Sequence, residues 1–244
     1  MEAVAEYTHA FDPAKAQEIL LSASQLNNNV AKPIAGVKYA KLTRKGRTQA
    51  DAAVEHMRSY KSENDLLLAV NAIIEDLIWD ENRTKEFEAA IFDLGGLLGL
   101  DSQRPEQKYK SGPDNLWSIG DLSYIVIECK SGAKSPTISK SDCDQLGGSV
   151  KWFFDHYDKS CTAAPLMIHP YYTFDNQASP IDAIRIMDTK HLNLLHSKLR
   201  EYAAAISGSG SIRKSDAIEK HLKHFGFMGS DFLSQYSRSF LKQS

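Results

Sequence analysis

The chain has 244 residues, of which 42% are hydrophobic and 25% are charged, and its formal net charge is −2. These values are typical of a globular protein with one large domain, or with a core domain and a small helical appendage. No apolar run approaches the roughly 20 residues that cross a bilayer, so no membrane partner is expected. Residues 1–15 are acidic and lack an apolar segment, which predicts no secretory signal. The three cysteines form no CxxC pair, so reduced thiols in a cytoplasmic protein are expected rather than disulfides or a zinc site.

The N-terminal part of the sequence predicts helices. Residues 1–30 are rich in alanine and carry apolar residues at helical spacing after Pro13. Residues 49–78 have a strong apolar stripe, and residues 83–98 have another that glycines close. We expect residues 1–80 to form a helical N-terminal extension that a site further along the chain does not need, so truncation up to about residue 65 should leave such a site assembled.

A basic stretch occupies the predicted loop at residues 27–48. No acidic residue lies between Glu18 and Asp51, whereas this interval contains Lys32, Lys38, Lys41, Arg44, Lys45 and Arg47. The stretch fits a phosphate contact, and it fits a solvated loop equally well.

After residue 100 the sequence changes from predicted helices to segments that favour strands. Strands are predicted at 116–119 and 124–127 around a Gly-Asp turn, followed by a helix at 139–157 and strands at 166–168 and 183–186. A helix at 192–206, a Gly/Ser joint and two short helices complete the chain. This order predicts an α/β fold in which a mixed sheet is flanked by helices, with additional N- and C-terminal helices. The predicted core spans residues 81–207, and residues 208–244 form a C-terminal helical appendage.

One group of polar residues carries the chemistry. Side chains alternate along a strand, so Glu128 and Lys130 at the end of the apolar run 125–127 share one face, and Cys129 takes the other. Asp114, earlier in the predicted hairpin, can supply a second carboxylate to the same place. Converging carboxylates repel each other, and a Mg²⁺ or Mn²⁺ ion relieves this repulsion while it polarises a phosphate. Lys130 could orient or deprotonate a water molecule, or neutralise charge in the transition state.

The sequence Pro113-Asp114, followed by Glu128-Cys129-Lys130, resembles the motif of the PD-(D/E)XK, or restriction-endonuclease-like, nuclease superfamily. The helical segment from Lys85 to Glu88 resembles the helix that precedes the site in this superfamily, and Asp144-Gln145-Leu146 resembles its helical glutamine motif. The pair Trp152-Phe153 is similar to an aromatic pair that often closes that helix. The resemblance covers residues 83–186 and is strongest to nuclease-like domains that occur alone or attached to bacterial helicases and defence proteins.

The resemblance implies a restriction-endonuclease-like fold and a metal-dependent DNA nuclease in bacterial defence or DNA processing. It implies Asp114, Glu128 and Glu88 as ligands of Mg²⁺ (or Mn²⁺), Lys130 as the residue that handles water, and Gln145 as a hydrogen-bonding residue. Glu86 is the alternative to Glu88 on the same helical turn. DNA is the implied substrate, and a helicase or ATPase is the implied partner protein. The chain could also form a homo-oligomer.

A second hypothesis remains open at this point. The chain could be a catalytically idle nuclease fold that binds nucleic acid or protein within a larger, helicase-associated assembly. The sequence contains no GxxxxGK[ST] motif, so an ATP-driven motor would have to be a separate protein. It does not distinguish single-stranded from double-stranded substrates.

Overall fold

The computed structural model describes residues 2–9, 13–27, 29–30, 39–43, 46–120, 122–208, 210 and 213–240. The chain divides into two compact units, residues 1–41 and residues 42–244. The first unit contains helices α1 (Glu2–His9) and α2 (Pro13–Leu26), which contact each other. The helical segment predicted over residues 1–30 is therefore two helices, and Pro13 begins the second, where its fixed φ and missing N–H are tolerated.

The second unit contains the remaining helices and the sheet. Its helices are α3 (Gln49–Met57), α4 (Glu63–Asp76), α5 (Thr84–Leu97), α6 (Pro105–Tyr109), α7 (Lys140–His156), α8 (Thr189–Gly208), α9 (Ser215–His224) and α10 (Gly229–Tyr236). Three of them, α3, α4 and α7, begin with a capping box. In α7, Ser139 Oγ accepts a hydrogen bond from the Asp142 backbone N–H, and the Asp142 carboxylate accepts one in return from the Ser139 N–H. Such reciprocal caps satisfy the free N–H groups at a helix start, so these boundaries are encoded locally.

Within the described residues, six strands form one mixed sheet. They are β1 (Asp101–Gln103), β2 (Asn115–Ser118), β3 (Ser123–Cys129), β4 (Thr162–Ile168), β5 (Arg185–Met187) and β6 (Arg238–Ser239). The strands are ordered as they occur in the chain. Strands β1 and β3 each pair antiparallel with β2, whereas β3, β4 and β5 run parallel to one another, and β6 pairs antiparallel with β5. The prediction of a mixed sheet flanked by helices is confirmed.

Strand β3 is covered on both faces. Ile125, Ile127 and Cys129 belong to a large hydrophobic cluster built with the helices α3, α4, α5, α8, α9 and α10. Tyr124 points to the opposite face, where its ring lies 5.1 Å from that of Phe153 on α7. The alternation therefore directs odd-numbered residues of β3 to the large cluster and even-numbered residues, including Glu128, towards α7. The expected central position of this strand, with α5 and α7 packed near it, is confirmed.

The same cluster extends beyond the predicted core. Residues of α3 and α4, such as Met57 and Leu66, are fully buried in it, and so are Phe227 and Phe232 near the C-terminus. The predicted boundaries at residues 80 and 207 both fall inside the second compact unit. The sequence pattern did not single out β1, α6 or β6, because each is five residues or shorter and lies in a polar segment or near the chain end.

The cysteines Cys129, Cys143 and Cys161 are free and buried. In the parts of the chain that the structure describes, no helix is both long and apolar enough to cross a membrane.

The shared cluster leads us to expect different results from two truncations. A chain that starts at Leu42 should retain the fold of the second unit. A chain that starts at Lys61 lacks α3, including Gln49, whose amide bridges Leu98 O, Phe227 O and the Gly229 N–H at 2.8–2.9 Å. It also exposes the apolar partners of Val54 and Met57, each of which contributes roughly 1.5–3 kcal/mol when buried.

Urea unfolding followed by tryptophan fluorescence measures both chains. We expect the Leu42 chain to unfold like the full chain and the Lys61 chain to lose several kcal/mol or to fail to fold. Equal stability of the two chains would show that α3 is a dispensable part of the N-terminal extension.

Candidate active site

The structure brings the five predicted site residues to one pocket of about 400 Å³. It lies where the end of β3, the start of β2, the first turns of α5 and the middle of α7 meet. The lining residues are Thr84, Glu88, Glu106, Gly112, Asp114, Glu128, Cys129, Lys130, Gln145, Gly148 and Ser149. Four carboxyl groups and a single ammonium group are therefore among the side chains of this pocket.

Glu128 is held by groups from α7 and from its own strand end. Its side chain is almost fully buried, and Ser149 Oγ on α7 donates a hydrogen bond to Glu128 Oε1 at 2.6 Å. Lys130 Nζ lies 3.4 Å from the other oxygen, Oε2. Each carboxylate oxygen thus faces a donor, which offsets the cost of burying this charge between the sheet and α7.

Lys130 occupies a fixed position at the end of β3. Its backbone N–H donates to Ile168 O at 2.7 Å and so extends the pairing with β4 by one residue. Its Nζ donates to Gln145 Oε1 on α7 as well as facing Glu128. Gln145, which the resemblance implies as a hydrogen-bonding residue, therefore accepts a hydrogen bond from the lysine.

Asp114 immediately precedes β2, and its side chain is 7% exposed. Its Oδ2 accepts a hydrogen bond of 2.7 Å from the Cys129 backbone N–H, which fixes the carboxyl group beside the end of β3. Burial, together with the nearby charge of Glu128, raises the pKa of Asp114 to about 6. Two carboxyl groups in the same buried place thus resist ionising together, as the sequence predicted from their convergence.

Glu106 is a fourth carboxyl group that the sequence analysis missed. It lies on the short helix α6 and lines the same pocket. A hydrogen bond to Asp114, with a smaller contribution from burial, raises the pKa of Glu106 to about 7. A hydrogen bond between two carboxyl groups requires a shared proton. The signal for this residue was weak, because the Pro-Glu sequence marks a helix start but not the direction of the side chain.

Glu88 lies in the pocket but has a cationic partner of its own. Arg104 Nη2 lies 2.7 Å from Glu88 Oε2, and the Arg104 side chain is 11% exposed. Asn115 Nδ2 donates to the Glu88 backbone carbonyl at 3.0 Å and ties α5 to β2. Glu86, the alternative on the same turn, is exposed, whereas Glu88 lines the pocket. The charge of Glu88 is therefore offset by the arginine, whereas Asp114 accepts a hydrogen bond from a neutral backbone N–H.

The turn that carries Asp114 depends on a close approach at Gly112. This glycine has a φ of +96°, and a Cβ there would lie 2.8 Å from the Trp152 ring and 3.0 Å from Pro105 Cβ. Trp152 Nε1 also donates to Ser111 Oγ at 3.2 Å. Trp152 therefore packs α7 against the turn before Asp114, which agrees with a structural role for this aromatic residue.

The predicted oxygen ligands suit a hard divalent cation. Across the described ranges, no group of three or more His, Cys, Asp or Glu side chains is arranged to hold a metal ion. Mg²⁺ in phosphoryl-transfer sites is held by one or two carboxylates, with water and phosphate oxygens completing the coordination. The pair of Asp114 and Glu128 fits this requirement, because both buried carboxyl groups line one pocket, where burial and then the charge of Glu128 raise the pKa of Asp114.

Most of the basic residues between Glu18 and Asp51 are not described by the structure. Lys32, Lys38, Arg44 and Lys45 lie outside the described residues. Arg47 forms ion pairs with Glu55 and, at 2.8 Å, with Asp101. At this position the charge joins α3 to β1, which is a structural contact.

Comparison of the chain with protein-family models, with curated proteins and with solved structures gave no match in any of the three. The residues of the pocket and the motif that they form are therefore the basis for inferring a function.

The raised pKa of Asp114 predicts a pH-dependent effect of Asp114→Asn. The fold favours the protonated carboxyl group, so its stabilising contribution is complete below the ordinary pKa of 3.8 and is lost as the pH rises through about 6. Asparagine keeps the shape and still accepts the Cys129 N–H. In metal-free buffer we expect the variant to be more stable than wild type at pH 7–8, on the order of 2 kcal/mol, and equal to it near pH 4.

Thermal unfolding between pH 4 and pH 8 measures this difference, with Asp144→Asn as the control because Asp144 is exposed on α7. A stability difference that does not change with pH would contradict the raised pKa of Asp114.

Gly112→Ala should destabilise the protein and displace Asp114. Alanine at a φ of +96° is strained, and its Cβ would overlap the Trp152 ring, so we expect a loss of roughly 1–3 kcal/mol. Gly148→Ala is the matched control, because Gly148 lies within α7 in open space and alanine favours a helix. Urea unfolding should show a lower stability than wild type for Gly112→Ala and a higher stability for Gly148→Ala. Equal stability of the two variants would contradict the packing at Gly112.

Proposed function

We propose that this chain is a magnesium-dependent nuclease of the PD-(D/E)XK type that hydrolyses phosphodiester bonds in DNA. The observation that carries the proposal is the convergence of Asp114, Glu128 and Lys130 in one pocket, in the chain order of the motif that the sequence resembles. An isolated D…ExK pattern is common by chance. Convergence of its three residues with Gln145 is a much more restrictive condition.

The order of elements supports a restriction-endonuclease-like fold as part of the same proposal. A helix with a carboxylate, α5, precedes the hairpin of β2 and β3, and the helix with the glutamine, α7, follows it. These are the positions on which the resemblance depends. The resemblance also underlies the proposed setting in bacterial defence or DNA processing, with a helicase or ATPase as partner.

The metal ligands in this proposal are Asp114 and Glu128, with Glu88 as the further carboxylate that the resemblance implies. When bound, magnesium supplies Lewis-acid stabilisation of the negative charge on the phosphate. Glu106 orients Asp114 through their hydrogen bond, and Ser149 fixes Glu128 in the same way. Burial and the charge of Glu128 raise the pKa of Asp114 to about 6, and a bound cation would lower it again, so metal binding below about pH 6 should release a proton.

Lys130 is the residue proposed to act on the reacting groups. Hydrolysis adds a water oxygen to phosphorus, breaks the bond to the leaving oxygen and delivers a proton to that oxygen. The Lys130 ammonium faces the pocket beside Glu128, where it can orient the attacking water or stabilise charge on the phosphate. Gln145 holds Nζ at this position from α7 and so restricts the rotamers of a flexible side chain.

Lys130→Ala should remove DNA cleavage and leave the fold nearly intact, because the side chain contacts the pocket rather than the hydrophobic cluster. We expect a rate loss on the order of a thousandfold or more at matched Mg²⁺ or Mn²⁺. Lys151→Ala is the control. Lys151 lies on α7, its side chain is 77% exposed, and it forms an ion pair with the exposed Asp155.

Cleavage of linear, circular and single-stranded DNA, measured alongside melting curves, tests the proposal. If Lys130→Ala cleaves DNA as fast as the wild-type chain, the catalytic role proposed for Lys130 is wrong. If the wild-type chain cleaves no DNA or RNA with either metal, the idle nuclease fold that binds a nucleic acid or a protein becomes the better hypothesis.

A further inference from the structure

Two more pockets lie beside the candidate active site, at the same edge of the sheet. The parallel strands β3, β4 and β5 end there, and their chain continuations are joined by hydrogen bonds. Lys130 N–H donates to Ile168 O, His169 N–H to Met187 O, and Thr189 Oγ1 to Pro170 O at 2.9 Å. The crevice outside the carboxyl ends of parallel strands is the usual place for ligands in open α/β sheets.

The middle pocket has a volume of about 460 Å³, and its wall includes Trp79, Ser131, Gly132, Lys134 and Tyr171. The end pocket has a volume of about 290 Å³, and its wall includes Tyr171, Tyr172, Lys190 and Arg238. The two pockets share Pro170, Tyr171 and Thr189, so they adjoin each other, and together they are called the groove.

The groove begins next to the candidate active site. Lys130 lines the active-site pocket, and Ser131, the next residue, lines the middle pocket. The wall between them is thin, because a Cβ at Gly132 would lie 3.1 Å from Thr84 Cγ2, and Thr84 lines the active-site pocket. The groove is therefore within reach of a polymer that is bound across the active site.

Aromatic rings are the most prominent feature of this groove. Tyr171 is 43% exposed and Tyr172 is 52% exposed, although they lie only three and four residues after the end of β4, whose last four residues are buried. The Arg238 guanidinium lies 4.0 Å from the centroid of the Tyr172 ring, and about half of this tyrosine remains exposed to a ligand. Trp79 supplies a further, partly buried ring in the middle pocket.

The middle pocket also contains a buried polar group without a partner. Ser131 is 3% exposed, and its Oγ forms no hydrogen bond with any residue that the structure describes. A buried hydroxyl without a hydrogen bond destabilises the fold, and a ligand with a polar edge could supply the missing hydrogen bond. Flat rings with polar edges are what nucleobases present to a protein.

We propose that this groove binds unpaired bases of a single-stranded nucleic acid whose phosphodiester backbone crosses the active site. The inference rests on the proposed nuclease function and adds the strandedness of its substrate. Bases in a duplex are stacked on each other and cannot offer a face to Tyr171 or Tyr172, whereas an unpaired base can stack on either.

The charges of the groove favour stacking over phosphate contacts as the source of affinity. Lys134 pairs with Glu81 at 2.5 Å, and Arg238 pairs with Asp188 at 3.0 Å. These acids reduce the positive potential that a groove for duplex phosphates would need. Binding should therefore depend strongly on the bases and only moderately on salt.

The test is binding of the full chain in EDTA, where no metal-dependent cleavage occurs. Fluorescence anisotropy compares a labelled oligothymidine strand of about 15 nucleotides with an abasic strand and with a duplex of equal length. We expect the oligothymidine strand to bind at least about tenfold more tightly than the other two. The double variant Tyr171→Ala, Tyr172→Ala should lose affinity for this strand by a similar factor, and Tyr171→Phe, Tyr172→Phe should retain it.

Phe154→Ala is the control, because Phe154 is 49% exposed on α7 and lies outside the groove. Equal binding of strand and duplex, equal binding of the abasic strand, or wild-type affinity in a folded Tyr-to-Ala double variant would each overturn the proposal. Cleavage is measured separately with Mg²⁺. Base-dependent binding without cleavage would contradict the nuclease activity alone, and cleavage without base-dependent binding would contradict the groove alone.

Discussion

The structure depends on one constraint, which is that β3 is buried on both faces and ends in two charged side chains. Its odd-numbered residues enter the large hydrophobic cluster, and its even-numbered residues face α7. Glu128 and Lys130 follow this alternation to the α7 side, where a bare charge would be costly. Ser149 and Gln145 meet that cost with hydrogen bonds, so the packing of α7 on the sheet and the geometry of the candidate site have the same origin.

The same place concentrates negative charge beyond what local contacts neutralise. Glu88 has Arg104, and Glu128 has Lys130 and Ser149, whereas Asp114 receives a backbone N–H and the hydrogen bond with Glu106. Burial and the charge of Glu128 raise the pKa of Asp114 to about 6, and the hydrogen bond to Asp114 raises the pKa of Glu106 to about 7, so both groups bind a proton more readily than ordinary carboxyl groups. Perturbed carboxyl groups in an open pocket are typical of functional sites, because a fold that only needed stability would fill the position with apolar side chains.

The carboxyl edge of the parallel strands joins the two proposals. The segments after β3, β4 and β5 leave the sheet side by side, so the lysine of the candidate site and the exposed tyrosines lie on neighbouring strand ends. A strand of nucleic acid needs a place for its phosphates and another for its bases. This edge offers a polar pocket and an aromatic groove that differ in composition and adjoin each other.

The sequence by itself determined the features that depend on local periodicity. The apolar run of β3, its alternation, the main helices and the shared face of Glu128 and Lys130 all follow from residues a few positions apart. Tertiary structure alone decided the rest: that Glu106 contacts Asp114, that Arg104 pairs with Glu88, and that Trp79 and Tyr171 border one groove. The physical reason is that these contacts join segments whose proximity is set by strand order and helix packing, and the spacing of residues within one segment carries no information about either.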